Sequence, residues 1–377
     1  MKIFYGLPGE GLGHCTRTLS VLDFCPKDWE IHIFTWGEAY DYLKSQNYPH
    51  LHQIASIPFG RVNGKIDTLA TAKSALKFLI NFIPSYKDVL KLAREHKPDI
   101  FISDCEGIIP RVARKVKTPC ISVDNQHKFS RCFSNDLPFD LRIYSIIMGI
   151  GTELLVPNPV CAVVSTFYHA TLRKLNNKTI LTNCFMRKAL EEIKPTQGDF
   201  ILVYYKSSCG PKILEMLSKT NEKVKVYGCP TKPYPQFEYY SIGNNFIKDL
   251  ASCKALFCSA GNQLLGEALF YSKNVFAVPE PKQPEQYINA YCLKQMGDES
   301  CYVEYLNEQI VKSFLNNIKE KKGVGINGAR TVIDVIEKVV RESNEVKKKD
   351  TLFVRFRHAL RMQIHKVRRV AKVFKKR

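Results

Sequence analysis

Short apolar runs, each closed by glycine, proline or a polar cluster, alternate along this chain with stretches of helical period. Lys2–Gly6, Glu30–Trp36, Asp99–Ser103 and Cys120–Val123 read as strands in the first half. Phe200–Tyr204, Lys223–Tyr227, Lys254–Cys258 and Asn274–Val278 repeat the pattern in the second. Helices are predicted from about Cys15 to Phe24, over Ala70–His96, and after the turns that contain Ser207 and Ser208 and that contain Ser259 and Gly261. Strand–helix alternation implies a parallel sheet covered on both faces. The expected fold class is therefore α/β, with two Rossmann-like parallel-sheet domains facing across a cleft. Residues 1–175 form the first domain, 176–345 the second, and 346–377 a basic amphipathic tail.

Length and composition agree with this division. The chain has 377 residues, 45% of them hydrophobic, enough for two cores. Its thirteen cysteines are odd in number and include no Cys-x-x-Cys pair, so neither a disulfide framework nor a zinc cluster is expected. Reduced thiols in the cytoplasm are the expectation. The first strand follows Met1 directly, which leaves no room for a signal peptide. The longest apolar run, Ile143 to Val164, is broken by Glu153 and two prolines, short of the ~20 residues a membrane span needs.

Net charge is +20, and residues 347–377 hold thirteen Lys and Arg against one Asp, leaving +8 for the other 346 residues. Within this tail Phe353, Phe356, Leu360, Ile364, Val367, Val370 and Phe374 recur at three- and four-residue steps. That spacing predicts an amphipathic helix lying on an anionic membrane surface, with Arg355, Phe356, Arg368, Arg369 and Phe374 at the lipid. Nucleic acid is the weaker reading, because an arm that tracks phosphates needs charge but no apolar stripe.

Two stretches carry candidate chemistry. After the first strand come Gly6, Gly9, Glu10, Gly11, Gly13 and His14. Glycines let backbone approach a bound group, and the helix that follows offers free N–H groups to an anion. The glycine spacing is not that of dinucleotide binders, and the next strand ends in Trp36 rather than a carboxylate. The literal Gly323-x-Gly325-x-x-Gly328 follows a lysine run, not a strand, and is read as chance. His14, at a helix N-terminus, is placed to stay neutral and accept a proton. Asp104, past the strand ending at Ser103, either orients His14 or caps the helix that follows. In the second half Ser259 and Gly261 open a helix suited to a diphosphate. Glu267, on that helix, can accept from two ribose hydroxyls. Glu285, Gln286 and Asn289 follow the next strand and can read sugar hydroxyls.

The segment from Asp249 to Gly297 resembles the donor-binding domain of family-28-like GT-B glycosyltransferases. These include the N-acetylglucosaminyltransferase of the peptidoglycan lipid intermediate and the monogalactosyldiacylglycerol synthases. The stretch from Gly9 to Arg17 is similar to the acceptor loop of the same group, and the two motifs stand about 250 residues apart in the right order. The resemblance implies His14 as general base, Glu267 on the ribose and Glu285 with Gln286 on the transferred sugar. It further implies Ser207 and Ser208 at the donor phosphates, and Arg187 as a basic residue at the domain junction. Asn262 and Gln263 depart from the usual small residues, and Glu285 stands where relatives often carry Gln.

The implied reaction is inverting and metal-independent, moves a hexose from a nucleotide donor (UDP by family default) and uses no cofactor. No Asp-x-Asp occurs in the chain, against a manganese-dependent transferase. The expected setting is the inner face of a membrane, with a membrane-associated or glycan acceptor. A nucleotide-sugar 2-epimerase or hydrolase of the same fold, and a non-catalytic membrane-binding subunit, are the alternatives.

Overall fold

The structure is a computed structural model, described for residues 1–346 except 11, 56–60, 63, 64, 67, 174–177, 206–208, 230, 242, 244 and 322. Across 61–80 only the backbone is described. The chain divides into a compact unit, Met1–Ile333, and a second, Asp334–Arg377, which is helical as far as 346. The tail residues Arg355, Phe356, Arg368, Arg369 and Phe374 lie outside the described residues, as do Gly11, Ser207 and Ser208.

The first unit holds two parallel sheets. In the first run β1 (Lys2–Gly6), β2 (Glu30–Thr35) and β3 (Leu51–Gln53). A separate short hairpin, β4 (Arg61–Val62) and β5 (Lys65–Ile66), intervenes before β6 (Ile100–Ser103), β7 (Cys120–Asp124), β8 (Cys161–Ser165) and β9 (Thr179–Thr182). The spatial order is β3-β2-β1-β6-β7-β8-β9. The second sheet uses β10 (Phe200–Tyr204), β11 (Lys223–Tyr227), β12 (Glu238–Tyr240), β13 (Ala255–Cys258), β14 (Asn274–Ala277) and β15 (Glu299–Ser300), in the order β12-β11-β10-β13-β14-β15. The last strand of the first sheet thus lies past residue 175, because β9 pairs with β8 and not with the second sheet.

The helices that cover the first sheet are α1 (Gly13–Leu22), α2 (Gly37–Ser45), α3 (Thr68–His96), α4 (Ile108–Val116), α5 (His127–Arg131) and α6 (Phe139–Leu155). The second half carries α7 (Lys188–Glu191), α8 (Gly210–Ser218), α9 (Asn245–Ser252), α10 (Asn262–Phe270), α11 (Pro284–Gln295) and α12 (Glu308–Asn316). Central strands are buried on both faces, as their unbroken apolar runs require: Ile100, Phe101 and Ile102 are 0–1% exposed, and Leu256 and Phe257 are fully buried.

Both sheets reverse their winding beside the first strand of each half, between β1 and β6 and between β10 and β13. Loops leaving the carboxyl ends of two such strands part in opposite directions and open a crevice there, where ligands bind in open α/β sheets. The residues at these ends are Gly6 beside Ser103, and Tyr204 beside Cys258.

The glycines divide by role. At Gly9 a Cβ would fall 1.5 Å from the Trp36 carbonyl oxygen, and the Gly9 carbonyl accepts from Ala39 N–H at 3.3 Å. This glycine is demanded by backbone packing against the start of α2. At Gly13 and Gly261 a Cβ would meet nothing within 4 Å. At Gly328 it would fall 2.0 Å from the Asn183 carbonyl oxygen, so that glycine too is a packing residue. Gly9→Ala should cost about 1–3 kcal/mol or more of unfolding free energy, whereas Gly13→Ala should cost none. Denaturant unfolding of both variants checks this, and equal losses would contradict it.

Candidate active site

The carboxyl ends of β1, β6 and β7 bring four side chains together. His14 lies in the first turn of α1 and Arg17 stands one turn on, pointing the same way. Asp104 follows β6, and Asn125 follows β7. Arg17 holds Asp104 in a fork, Nε to Oδ2 at 3.1 Å and Nη2 to Oδ1 at 2.5 Å. Its Nη1 donates to Asn125 Oδ1 at 2.8 Å. Both charged groups are buried, Arg17 3% and Asp104 0% exposed. Burial works against the guanidinium charge, but Asp104 outweighs it and the pKa of Arg17 is raised.

Asp104 does not cap the helix that follows. That place belongs to Glu106, whose carboxylate accepts from Ile108 N–H at 2.7 Å and Ile109 N–H at 2.8 Å. Asp104 is left for Arg17 and His14. Nδ1 of His14 lies 3.1 Å from Asp104 Oδ1 and 2.7 Å from Arg17 Nη2. One nitrogen cannot donate to the carboxylate and accept from the guanidinium at once. A hydrogen on Nδ1 joins the ring to Asp104 and bares Nε2 as a base; a hydrogen on Nε2 lets Nδ1 accept from Arg17. The side chain of His14 is 21% exposed, whereas Asp104 is fully buried behind it.

The turn from β7 into α5, Asp124 to Lys128, carries the link to the second half. Asp124 Oδ2 lies 2.6 Å from His127 Nδ1 and Oδ1 accepts from His127 N–H at 2.9 Å. Burial would raise the Asp124 carboxyl, but His127 and Ser122 hold it well below the usual range. That pair fixes the turn. Asn125 Nδ2 then donates to Glu285 Oε1 at 2.8 Å, and Lys128 Nζ donates to Asn262 Oδ1 at 3.3 Å and Asn289 Oδ1 at 3.0 Å. Lys128 is 3% exposed, and burial lowers its pKa. Sequence reasoning misses Arg17, Asn125 and Lys128. The signal was the dense polar run 124–128 directly after an apolar strand.

In the second half, half-buried Ser259 follows β13 and Gly261 is the N-cap of α10, with no side chain capping its N–H groups. Glu267 sits inside that helix, 4% exposed. Its Oε1 accepts from Gln263 Nε2 at 3.1 Å and lies 3.8 Å from Arg187 Nη2. Gln263 Oε1 and Arg187 Nε are buried without a hydrogen-bond partner. Glu285 and Gln286 occupy the first turn of α11. Gln286 turns back to accept from Glu280 N–H at 2.9 Å and donate to Gln283 Oε1 at 2.9 Å. Asn289 is fully buried, and its Nδ2 donates to the Ala260 carbonyl at 2.9 Å. Glu10 is half-buried in the first-half loop. The two walls meet: α1 packs against α10, and polar contacts run from His14, through Arg17 in one tautomer and through Asp104 to Arg17 in the other, and on by Asn125 to Glu285.

Burial lifts the Glu267 carboxyl above its ordinary value, with Arg187 and Gln263 offsetting part of the rise. A raised folded pKa means the native state holds this proton more tightly than the unfolded chain. The stability so gained is full below the unfolded value of about 4.3 and is lost as pH rises through the folded one. Glu267→Gln, neutral throughout, should therefore gain thermal stability on the wild type as pH goes from about 4 to 8. Melting curves across that range test it; a gap that narrows with rising pH would contradict it.

The sequence model of glycosyl transferase family 1 matches residues 1–319. An uncharacterized glycosyltransferase of Methanosarcina mazei is 24% identical over 337 residues, covering 79% of this chain and 85% of the relative. Among solved structures, MurG of Acinetobacter baumannii superposes with a TM-score of 0.57 at 14% identity, covering 89% of this chain and 99% of that one. The Streptomyces sp. SF2575 glycosyltransferase SsfS6, complexed with thymidine diphosphate, gives 0.55 at 13% identity, covering 84% and 93%. The GT-B resemblance read from the two motifs is borne out along most of the chain. With its two facing parallel sheets and a family match over most of its length, the chain belongs to glycosyl transferase family 1, enzymes that transfer glycosyl groups.

Proposed function

We propose that the chain is an inverting, metal-independent hexosyltransferase that takes its sugar from a nucleoside diphosphate donor, UDP by resemblance, and passes it to a membrane-associated or glycan acceptor. The observation that carries this reading is the polar chain that runs from His14 through Asp104, Arg17 and Asn125 to Glu285, and so joins His14 on one wall to a carboxylate on the other. The reaction is one displacement. With Nδ1–H held by Asp104, His14 Nε2 takes the acceptor hydroxyl proton as its oxygen attacks the anomeric carbon. The bond to the β-phosphate oxygen breaks on the opposite face, so configuration inverts. Charge growing on the leaving diphosphate is met by the uncapped N–H groups of α10 and by Lys128, whose present acceptors are neutral amides. Ribose hydroxyls donate to Glu267 in place of the Gln263 amide. A nucleoside diphosphate on the structural neighbour SsfS6 supports that class of donor.

His14→Ala should lower kcat by about 10²–10⁴ while keeping the thermal shift that UDP or dTDP induces. Glu267→Ala should lose the shift. Nucleotide-sugar turnover with and without acceptor measures this, and full activity in His14→Ala sinks the base assignment. Conversion of the donor without acceptor would favour the epimerase.

A membrane-proximal acceptor is supported by α6. No helix among the described residues is long and apolar enough to cross a membrane. Yet one face of α6 leaves Phe139 75%, Ile147 60%, Ile150 57% and Leu154 68% exposed. Solvated helices bury such a stripe. Its other face packs Leu141 with Phe129 and with Ile288 of α11, next to the helices that carry Lys128 and Glu285. Ile147→Ser with Ile150→Ser should weaken binding to anionic vesicles roughly tenfold or more, with little dependence on salt. Loss of residues 347–377 should weaken it in a salt-dependent way. Vesicle sedimentation at two ionic strengths separates the contributions, and unchanged binding in the α6 variant refutes its role.

A further inference from the structure

Four of the nine histidines gather around Glu30, at the amino end of the strands and away from His14 and Asp104 at the carboxyl ends. His32 is on β2, His52 on β3, His50 just before it, and His96 ends α3. The His32 ring stacks on His50 and His52, with centroids 4.6 and 5.2 Å away, and meets His96 edge-on at 4.5 Å. No step of the transfer uses these groups.

Two of them, His32 and His96, aim a nitrogen at one oxygen. His32 Nε2 lies 2.9 Å and His96 Nδ1 3.5 Å from Glu30 Oε1. One ligand atom from each of Glu30, His32 and His96 falls within 4.8 Å of the others. Bonds of about 2.0–2.1 Å in a tetrahedral zinc site put neighbouring ligand atoms roughly 3.4 Å apart, so small turns of two side chains complete the geometry. The two that must turn are part-exposed, Glu30 33% and His96 28%, while His32 is 1% exposed and fixed. Behind it, His32 Nδ1 lies 3.0 Å from His52 Nε2. A ligating imidazole usually donates its second N–H to such an outer partner, which sets its tautomer and aim. Lys2 Nζ stands 3.4 Å from Glu30 Oε2 and leaves Oε1 to the cluster.

We propose that Glu30, His32 and His96, with a water in the fourth position, form a zinc site that clips the end of α3 to the second strand of the first sheet, and that His52 is the positioning residue for His32. Two imidazoles and one carboxylate suit zinc and disfavour magnesium or calcium, which want oxygen. The site lies at the amino end of the strands, away from the crevice, so the ion would take no part in the transfer.

The test is thermal unfolding of the untagged full chain, stripped with a chelator and titrated with Zn²⁺ or Mg²⁺. Zn²⁺ should raise the midpoint by several degrees at saturation, and Mg²⁺ should not. Glu30→Gln and His96→Ala, at part-exposed positions, should melt near the wild-type midpoint without metal and lose the rise. His52→Gln should need a roughly 10–100-fold higher zinc concentration for the same rise. No rise in the wild type overturns the site. So does an undiminished rise in both ligand variants, which would assign the ion to the cysteines.

Discussion

The buried pair of Arg17 and Asp104 is the constraint on which the catalytic half depends. Removing one partner of such a pair leaves a desolvated charge, at a cost of about 3–5 kcal/mol. That penalty ties the first turn of α1 to the end of β6 and, through Asn125, to the end of β7. Three chain segments that leave the sheet separately are thereby held in one orientation. His14 inherits its position from this tie, because it lies one turn before Arg17 on the same helix face.

The tie also sets a competition. In a plain His–Asp pair the carboxylate is free to hold Nδ1–H and to stabilise the imidazolium. Here Asp104 already faces a guanidinium, and the same guanidinium offers a hydrogen to His14 Nδ1. Arg17 therefore weighs against the base-competent tautomer even as it places the ring. The geometry makes Asp104 more an anchor than a charge stabiliser, and under the proposed mechanism much of the rate would then rest on Lys128 and the α10 N–H groups.

Most strands were legible because each is a short apolar run with a hard stop, such as Ile100–Ser103 before Asp104. Elements of two or three residues, like Leu51–Gln53 and Glu299–Ser300, carry too little pattern to read and exist through pairing with a neighbour. The apolar stretch from Ile143 hid the last part of helix α6 and strand β8, with Pro157 and Pro159 between them. Its exposed face also breaks the rule that apolar periodicity points inward. His14 and Asp104 could be proposed from sequence because a glycine turn and a strand end mark them, and Glu267 because it follows the turn that opens α10. Arg17 could not, since it gains its role only from a partner 87 residues away, and Lys128 was marked only by the polar run that contains it, its partner lying 134 residues on.

The second half holds charge in a manner that burial alone disfavours. Lys128 is desolvated among amide oxygens, and Glu267 shares one oxygen with an amide and a distant guanidinium. Both groups have pKa values displaced toward neutrality by burial, so each charge is maintained at a cost in stability. On the proposed function, a nucleoside diphosphate would relieve both strains at once: its phosphates would add an anion beside Lys128, whose charge Glu285 now supports, and its ribose would offer two donors to Glu267. Gln263, whose own Oε1 is unpaired, stays held by the bond from its Nε2 to the Phe185 carbonyl at 2.7 Å. On that reading the free energy withheld from folding is recovered on donor binding, while the buried contact of Phe129 and Leu141 with Ile288 joins the two halves without a ligand.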